Sequence, residues 1–161
     1  ATGCISVRTI RRSVNGSVLV VIGSAFGIAQ ALETSGAADL LAQFLTLVTS
    51  SFGPLGILAG IYLIGVLCAC LMSNVASAAL IFPVAMNAAA TAGLDPRPFA
   101  IALALAASAA FSTPIGYQSN LIVYGPGGYR YVDFLRVGLP LNALCFVIVM
   151  TIVPVFWPLL P

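Results

Sequence analysis

The sequence predicts an all-α membrane protein in which two helices are interrupted at polar points. Of its 161 residues, 61% are hydrophobic and only 6% are charged, whereas soluble domains carry roughly 25% charged residues. This number of charges is too small to cover a water-facing surface. The bilayer must therefore act as the solvent. Two polar breaks, Met72-Ser73-Asn74 and residues 112–120, stand inside long runs without charge. Polar groups are unfavourable there unless something is bound, and paired breaks are typical of discontinuous helices that meet at a midplane site.

The composition excludes several kinds of chemistry. The chain has no His and no Lys, so it cannot build a Ser-His, Cys-His or Ser-Lys nucleophile pair or a His-ligated metal centre. Its four cysteines lie mostly in apolar surroundings, where Cys acts as a small hydrophobic residue. The net charge of +2 is too small and too scattered for a nucleic-acid surface. We therefore predict neither an enzyme nor a nucleic-acid-binding protein, and we expect no cofactor.

The first part of the chain predicts one span between two surface segments. Residues 4–16 mix apolar residues with three Arg and predict a short amphipathic segment at the interface. Residues 17–33 predict a first apolar span. Residues 37–51 carry apolar residues at helical spacing. This last segment is short and has polar residues on its other side, so we predict a helix that lies along the membrane surface.

Residues 54–91 predict a helical hairpin. A straight helix of this length would run roughly 57 Å at about 1.5 Å per residue, far beyond a hydrocarbon core of about 30 Å. The chain must therefore turn, and Ser73-Asn74 is the polar point at which it can do so. Each arm could then reach the midplane or cross the bilayer, and Pro83 would kink the second arm.

The second half of the chain predicts a broken helix and a last span. The broken helix covers residues 98–125 and is interrupted at Ser112-Thr113-Pro114, where Pro and the nearby Gly116 prevent simple continuation. Residues 129–137 mix aromatic residues with Arg, as interfacial segments do. Residues 138–160 predict an uncharged final span.

The arginines predict an orientation. If the Arg residues before the first and last spans lie in the cytoplasm, five of the six Arg are inside and only Arg97 is outside. This orientation requires a hairpin that enters and leaves the bilayer from the outer side. The sequence thus predicts a multi-pass protein, which we expect in a bacterial inner membrane.

Three stretches resemble the divalent anion:sodium symporter family, and in particular its sulfate-permease-like branch, whose members often carry TrkA-C-type domains. They are SNVASAALIFPVA at 73–85, TPIGYQSNL at 113–121 and GPGGYR at 125–130. The likeness covers nearly the whole chain, and it matches only the C-terminal repeat of such a transporter. It implies one half of an inverted-repeat transporter, with a re-entrant helical hairpin and a broken transmembrane helix. The partners it implies are the missing N-terminal repeat, the lipid bilayer and a second copy in a homodimer.

The resemblance also implies the site. Members of this family bind Na⁺ between the hairpin tip and the facing loop, and they hold the substrate anion beside the tip. By this resemblance the sodium ligands are Met72, Ser73, Asn74, Ser112 and Thr113. The residues at the anion are Ser73, Asn74, Val75, Thr113, Pro114, Gln118, Ser119 and Asn120. At the third tip position family members carry Thr and this chain carries Val75, which favours an inorganic oxyanion such as sulfate over a dicarboxylate.

Elementary chemistry points to the same breaks. A hard cation such as Na⁺ prefers oxygen ligands, which the carbonyls of a helix break, the Asn74 amide and Ser or Thr hydroxyls can supply. Helices that begin near Asn74 and Ser119 direct partial positive charge at an anion. Neither break carries a cationic side chain, so bound Na⁺ would have to help to hold the anion.

We therefore predict a secondary transporter that couples Na⁺ to the uptake of a divalent anion, sulfate or a dicarboxylate. Two alternatives stay open. One is an arsenite-type or proton-coupled permease of the same superfamily, and the other is a truncated membrane scaffold that does not transport.

Overall fold

The computed structural model describes residues 34–160 and, before them, Val20 and residues 23–24, 27–28 and 30–32. The predicted interfacial segment 4–16 lies outside the described residues, as does much of the predicted span 17–33. The described part of that span is helical.

The part of the chain that the structure describes is built from helices, without a strand. Three of these helices are long and apolar enough to cross a membrane: Gly53–Leu71, Asn74–Thr91 and Tyr131–Phe156. The predicted class, an all-α membrane protein, is confirmed.

Helix α1 covers Ala37–Thr49 and is amphipathic. One face is buried against the rest of the fold through Ala38, Ala42 and Leu45. The opposite face exposes Leu40, Leu41, Phe44, Leu47 and Val48. A short 3₁₀ turn over Ser50–Phe52 then leads directly into the next helix. An exposed apolar face of this kind suits a helix that lies in the membrane interface.

Helices α2 (Gly53–Leu71) and α3 (Asn74–Thr91) lie side by side and form a helical hairpin. Because only two residues separate them, the chain turns at Met72-Ser73. Ser73 caps α3, since its hydroxyl oxygen accepts the backbone N–H of Ala76 at 3.3 Å. Further along α3 the fully buried Ser77 donates to the carbonyl oxygen of Gly65 at 3.0 Å, which joins the two arms.

Helix α4 covers Pro96–Ser108 and contacts both arms of the hairpin. The Asp95 carboxylate starts it by accepting the backbone N–H of Arg97 at 2.8 Å. Gly65 of α2 lets α4 approach closely, because a Cβ at this position would lie 3.0 Å from the Cβ of Ala106. The packed interior of the protein lies where α2, α3 and α4 meet.

The chain leaves the helical conformation over residues 109–117 and resumes it in the short helix α5, Gln118–Tyr124. We call residues 109–117 the break loop. It interrupts the predicted broken helix between α4 and α5, and the side chain of Thr113 within it contacts the end of α2.

The last helix, α6, covers Tyr131–Phe156. The sequence predicts an interfacial segment over 129–137 and a separate span over 138–160, whereas the structure joins them in one helix of 26 residues. The reason is local: the Asp133 carboxylate accepts the backbone N–H of Arg130 at 2.7 Å and starts the helix early. A single Gly138 then costs too little to stop it. At about 1.5 Å per residue α6 is roughly 39 Å long.

Candidate functional site

The two polar breaks lie against each other in the fold. Thr113 of the break loop donates its hydroxyl hydrogen to the carbonyl oxygen of Cys70 at 2.6 Å. Cys70 lies in the last turn of α2, 43 residues earlier in the chain. The same Thr113 oxygen accepts the backbone N–H of Gly116 at 3.2 Å. Only 5% of Thr113 is exposed, so the end of the first hairpin arm and the break loop meet out of contact with solvent.

Asn74, the first residue of α3, makes the second connection. One end of its carboxamide lies 3.1 Å from the carbonyl oxygen of Ala107 and 3.2 Å from that of Gly116. With the amide nitrogen at this end, Asn74 donates to both carbonyls, and this hydrogen-bond pattern assigns the amide orientation. The hairpin tip is therefore bound to the end of α4 and to the break loop at once.

Gly116 allows this close approach. A Cβ at this position would lie 2.6 Å from the carbonyl oxygen of Ala69 and 2.9 Å from the Cβ of Ala110. No side chain fits between the break loop and the end of α2. The sequence marks Gly116 as a helix breaker, and the structure adds that it is the contact point between the two breaks.

Asn120 of α5 stabilises the shape of the break loop. Its amide nitrogen donates to the carbonyl oxygen of Thr113 at 3.2 Å and lies 3.4 Å from that of Ala110. These carbonyls have no partner of their own in a helix, because the helical ladder is interrupted there. Asn120 thus supplies part of the bonding that the broken helix loses.

The last helix also reaches the break loop. Asn142 of α6 donates from its amide nitrogen to the hydroxyl oxygen of Ser112 at 2.8 Å. One turn earlier, a Cβ at Gly138 would lie 2.5 Å from the Cα of Ser112 and would overlap the carbonyl group of Phe111. The backbone of α6 therefore lies directly on the break loop.

A cavity of about 310 Å³ opens between the tip and the break loop. Five of the seven residues that line it are polar, namely Asn74, Ser108, Tyr117, Ser119 and Asn120, and the other two are Ala110 and Phe111. None of the described residues that line it is charged. A second, larger cavity of about 720 Å³ is lined mostly by residues of α3 and α4. It shares Asn74 and Ser108 with the first cavity and is otherwise mainly apolar.

The predicted site residues occupy three positions around this cavity. Asn74, Ser119 and Asn120 line it. Ser112, Thr113 and Pro114 are buried in the break loop behind it. Met72, Ser73 and Val75 lie at the tip, where Val75 lines the larger cavity. The side chain of Gln118 lies outside what the structure describes.

The sequence interpretation missed several groups at this site. The carbonyl oxygens of Cys70, Ala107 and Gly116 carry no sequence signal, because any residue supplies a carbonyl. Ser108 and Tyr117 line the cavity but look like ordinary helix-end residues. Asn142 did carry a signal, since it is an amide inside an otherwise apolar last span.

Comparison with known proteins identifies the class of protein. The chain matches the sequence profile of the citrate transporter family (CitMHS) over residues 1–105 and 53–161, which together cover the whole chain. The chain therefore belongs to this family of membrane transporters.

Similar proteins come from a green alga and from bacteria. A Chlamydomonas reinhardtii protein whose name refers to the sulfur deprivation response is 42% identical over 154 residues, which are 96% of this chain and 26% of that protein. The Escherichia coli transporter YfbS is 32% identical over 155 residues, 96% of this chain and 25% of that protein. Sodium/sulfate cotransporter 1 of Chlamydomonas reinhardtii is 32% identical over 148 residues, 91% of this chain and 17% of that protein. The chain spans about a quarter or less of the length of these relatives.

Proposed function

We propose that the protein containing this chain is a secondary transporter that couples Na⁺ to the uptake of a divalent oxyanion such as sulfate. The observation that carries the proposal is the contact between the two breaks, in which Asn74 bridges the carbonyls of Ala107 and Gly116 beside a polar, uncharged cavity. The name of sodium/sulfate cotransporter 1 supports the choice of ion and anion.

The predicted second repeat and homodimer stay predictions. The bacterial inner membrane stays one too, because relatives also come from an alga.

The proposed cation site uses the Asn74 carboxamide in its other orientation. Turned by half a rotation, the amide would place an oxygen 3.1 Å from the carbonyl oxygen of Ala107 and 3.2 Å from that of Gly116. Three oxygens so close repel one another unless a cation lies among them, and hard cations select oxygen ligands. We propose that Na⁺ binding drives this rotation. Ser112, Ser73 and the Met72 carbonyl are the further ligands predicted from the sequence.

Thr113 has a different part in this proposal. Its hydroxyl hydrogen is used by the Cys70 carbonyl, and its oxygen already accepts from Gly116. One lone pair is left for a ligand. Its main role is therefore to hold the break loop at the distance from α2 that the cation site requires.

The anion site follows from the charge distribution. The described lining of the 310 Å³ cavity has hydroxyls and amides but no cationic side chain, so it offers hydrogen bonds without net charge. The N-terminus of the 18-residue α3 adds a partial positive charge at Asn74. A bound Na⁺ nearby would supply a full charge in a medium of low dielectric constant, where attraction is strong. Anion binding would then depend on Na⁺, which is the thermodynamic requirement for symport.

The proposal is tested by sulfate uptake into proteoliposomes that contain the protein expressed from its complete reading frame. Labelled sulfate uptake should follow an inward Na⁺ gradient and should vanish when K⁺ or choline replaces Na⁺ at equal ionic strength. Uptake that follows a proton gradient and ignores Na⁺ would contradict sodium coupling. Protein that is folded but carries neither sulfate nor a dicarboxylate under any gradient would contradict the transport function.

A further inference from the structure

We infer that Asn142, in the last helix, is a positioning residue for the cation site and acts through the hydroxyl of Ser112. This inference rests on the proposed function. It assigns a role in ion affinity to α6, although no residue of α6 lines the cavity between the tip and the break loop.

The first observation is the direction of the hydrogen bond between these residues. Asn142 donates from its amide nitrogen, and the Ser112 oxygen accepts at 2.8 Å. The hydroxyl hydrogen of Ser112 must then point away from Asn142, because the bonded lone pair occupies that side. The bond therefore fixes where the hydroxyl is and which way its remaining lone pair and its hydrogen can face.

The second observation is that the break loop is held from two sides at neighbouring residues. Thr113 is bound to the end of α2 through the Cys70 carbonyl at 2.6 Å, and Ser112 is bound to α6 through Asn142 at 2.8 Å. Both residues are 5% exposed. Releasing Ser112 would let the loop pivot on Thr113, and it would move the Gly116 carbonyl relative to Asn74.

The third observation is the packing of α6 on the loop. Gly138 and Asn142 are four residues apart, so they lie on the same face of the helix. At Gly138 the backbones approach so closely that a Cβ would be 2.5 Å from the Cα of Ser112. The amide of Asn142 is therefore carried by a rigid element in direct contact with the loop, as a positioning group requires.

The fourth observation is that a contribution to the stability of the fold does not explain the presence of Asn142. Its carbonyl oxygen Oδ1 is buried and has no hydrogen-bond partner among the described residues. Burying a half-satisfied amide in an apolar helix is unfavourable. By contrast, the hydroxyl of Thr151 on the same helix bonds to its own backbone, at the carbonyl of Val147 at 2.8 Å. Asn142 thus costs stability, and its one side-chain hydrogen bond to a described residue is to the break loop.

The test is a double-mutant cycle in the protein expressed from its complete reading frame, with sodium-driven sulfate uptake as the assay. Asn142→Ala should raise the Na⁺ concentration for half-maximal uptake by about 2- to 10-fold, the effect of losing one neutral hydrogen bond. The maximal rate should change little. Adding Asn142→Ala to Ser112→Ala should have almost no further effect, because Asn142 acts only through Ser112. Asn142→Leu, which has a similar size and removes the donor without adding charge, should raise the half-maximal Na⁺ concentration as Asn142→Ala does.

Asn87→Ala is the matched control. Asn87 also donates one amide hydrogen bond, to Asp39 at 2.7 Å, but it is remote from the break loop. The Asn87→Ala variant should therefore have the same half-maximal Na⁺ concentration as the wild type. Additive effects of the Asn142 and Ser112 substitutions would overturn the inference, as would a loss of maximal rate without a change in the half-maximal Na⁺ concentration. If Asn142→Ala does not fold, Asn142→Leu decides by the same criteria. Wild-type uptake that ignores Na⁺ would overturn the proposed function, and this inference with it.

Discussion

At the scale of single residues, the site depends on small polar groups that bind backbone carbonyls. Thr113, Asn74 and Asn120 each bond to a carbonyl near a helix break. In lipid such carbonyls have no water to bind, so each unsatisfied group is costly. The polar residues that mark the breaks in the sequence therefore have a structural role as well as the binding role that we propose for them.

This structural role predicts the effect of replacing Thr113. Thr113→Val keeps the shape of the side chain but removes the donor to the Cys70 carbonyl, leaving that buried oxygen without its bond. We expect a loss of about 1–3 kcal/mol in stability, measured as the shift in thermal unfolding of purified protein in detergent. Thr151→Val is the control, because the Thr151 hydroxyl bonds only to its own exposed helix backbone. Equal stability of the two variants would show that the Thr113 bond does not hold the break loop.

At the scale of the elements, the arrangement depends on how closely the last helix approaches the break loop. Gly138 lies inside α6, where an Ala would ordinarily stabilise a helix by about 1 kcal/mol. Here the added Cβ would overlap the backbone of Phe111 and Ser112. At this position helix propensity favours Ala, whereas packing against the break loop disfavours it.

We expect the loss of packing to outweigh the gain in helix propensity when Gly138 is replaced by Ala. Gly138→Ala should lower the unfolding temperature, because neither backbone can move away without disturbing the bond between Asn142 and Ser112. Gly125→Ala is the matched control, since a Cβ there has nothing within 4 Å and its φ of −72° is open to any residue. A Gly138→Ala variant that is as stable as Gly125→Ala would contradict the close approach of α6 to the break loop.

The helices and their ends could be predicted largely from local sequence, and the contacts between them could not. The broken helix is predicted from residue 98, and α4 begins two residues earlier, at Pro96, because the Asp95 carboxylate caps it there. The predicted boundary at 137/138 lies inside α6, because the sequence shows where charge stops but not that Asp133 caps a helix which continues through Gly138. The bond between Thr113 and Cys70 spans 43 residues and leaves no periodic pattern. The sequence could thus locate both breaks, but it could not identify the backbone carbonyls that their side chains bind.

At the scale of the whole molecule, the length of the hairpin arms bears on how the hairpin sits in the bilayer. Its arms have 19 and 18 residues, or roughly 27–29 Å each at about 1.5 Å per residue, close to a core of about 30 Å. The arginine distribution predicts that the start of α2 and the end of α3 face the same, outer side of the membrane.

Cysteine labelling tests this orientation. We expect Ser51→Cys and Thr91→Cys, each in a background without native Cys, to react with an impermeant thiol reagent added to the same, outer side. Both positions are exposed in the structure and flank the two arms. The Cys-free parent is the control for background labelling. Reaction of the two cysteines from opposite sides would contradict the hairpin topology, and reaction of both only from the inside would reverse the orientation.

The most direct test of the central claim, that the two facing breaks form a sodium site, is the Na⁺ dependence of sulfate uptake by Asn74→Ala. Losing the Asn74 amide leaves a buried site without one ligand, which should weaken the binding free energy of Na⁺ by about 1–3 kcal/mol. The half-maximal Na⁺ concentration should therefore rise roughly 5- to 150-fold. Arg97→Ala is the control, because this exposed Arg follows the capping Asp95 in a region where salt screens its charge. It should match the wild type. An Asn74→Ala protein that is well expressed and keeps the wild-type half-maximal Na⁺ concentration and maximal rate would show that the tip is only a structural turn.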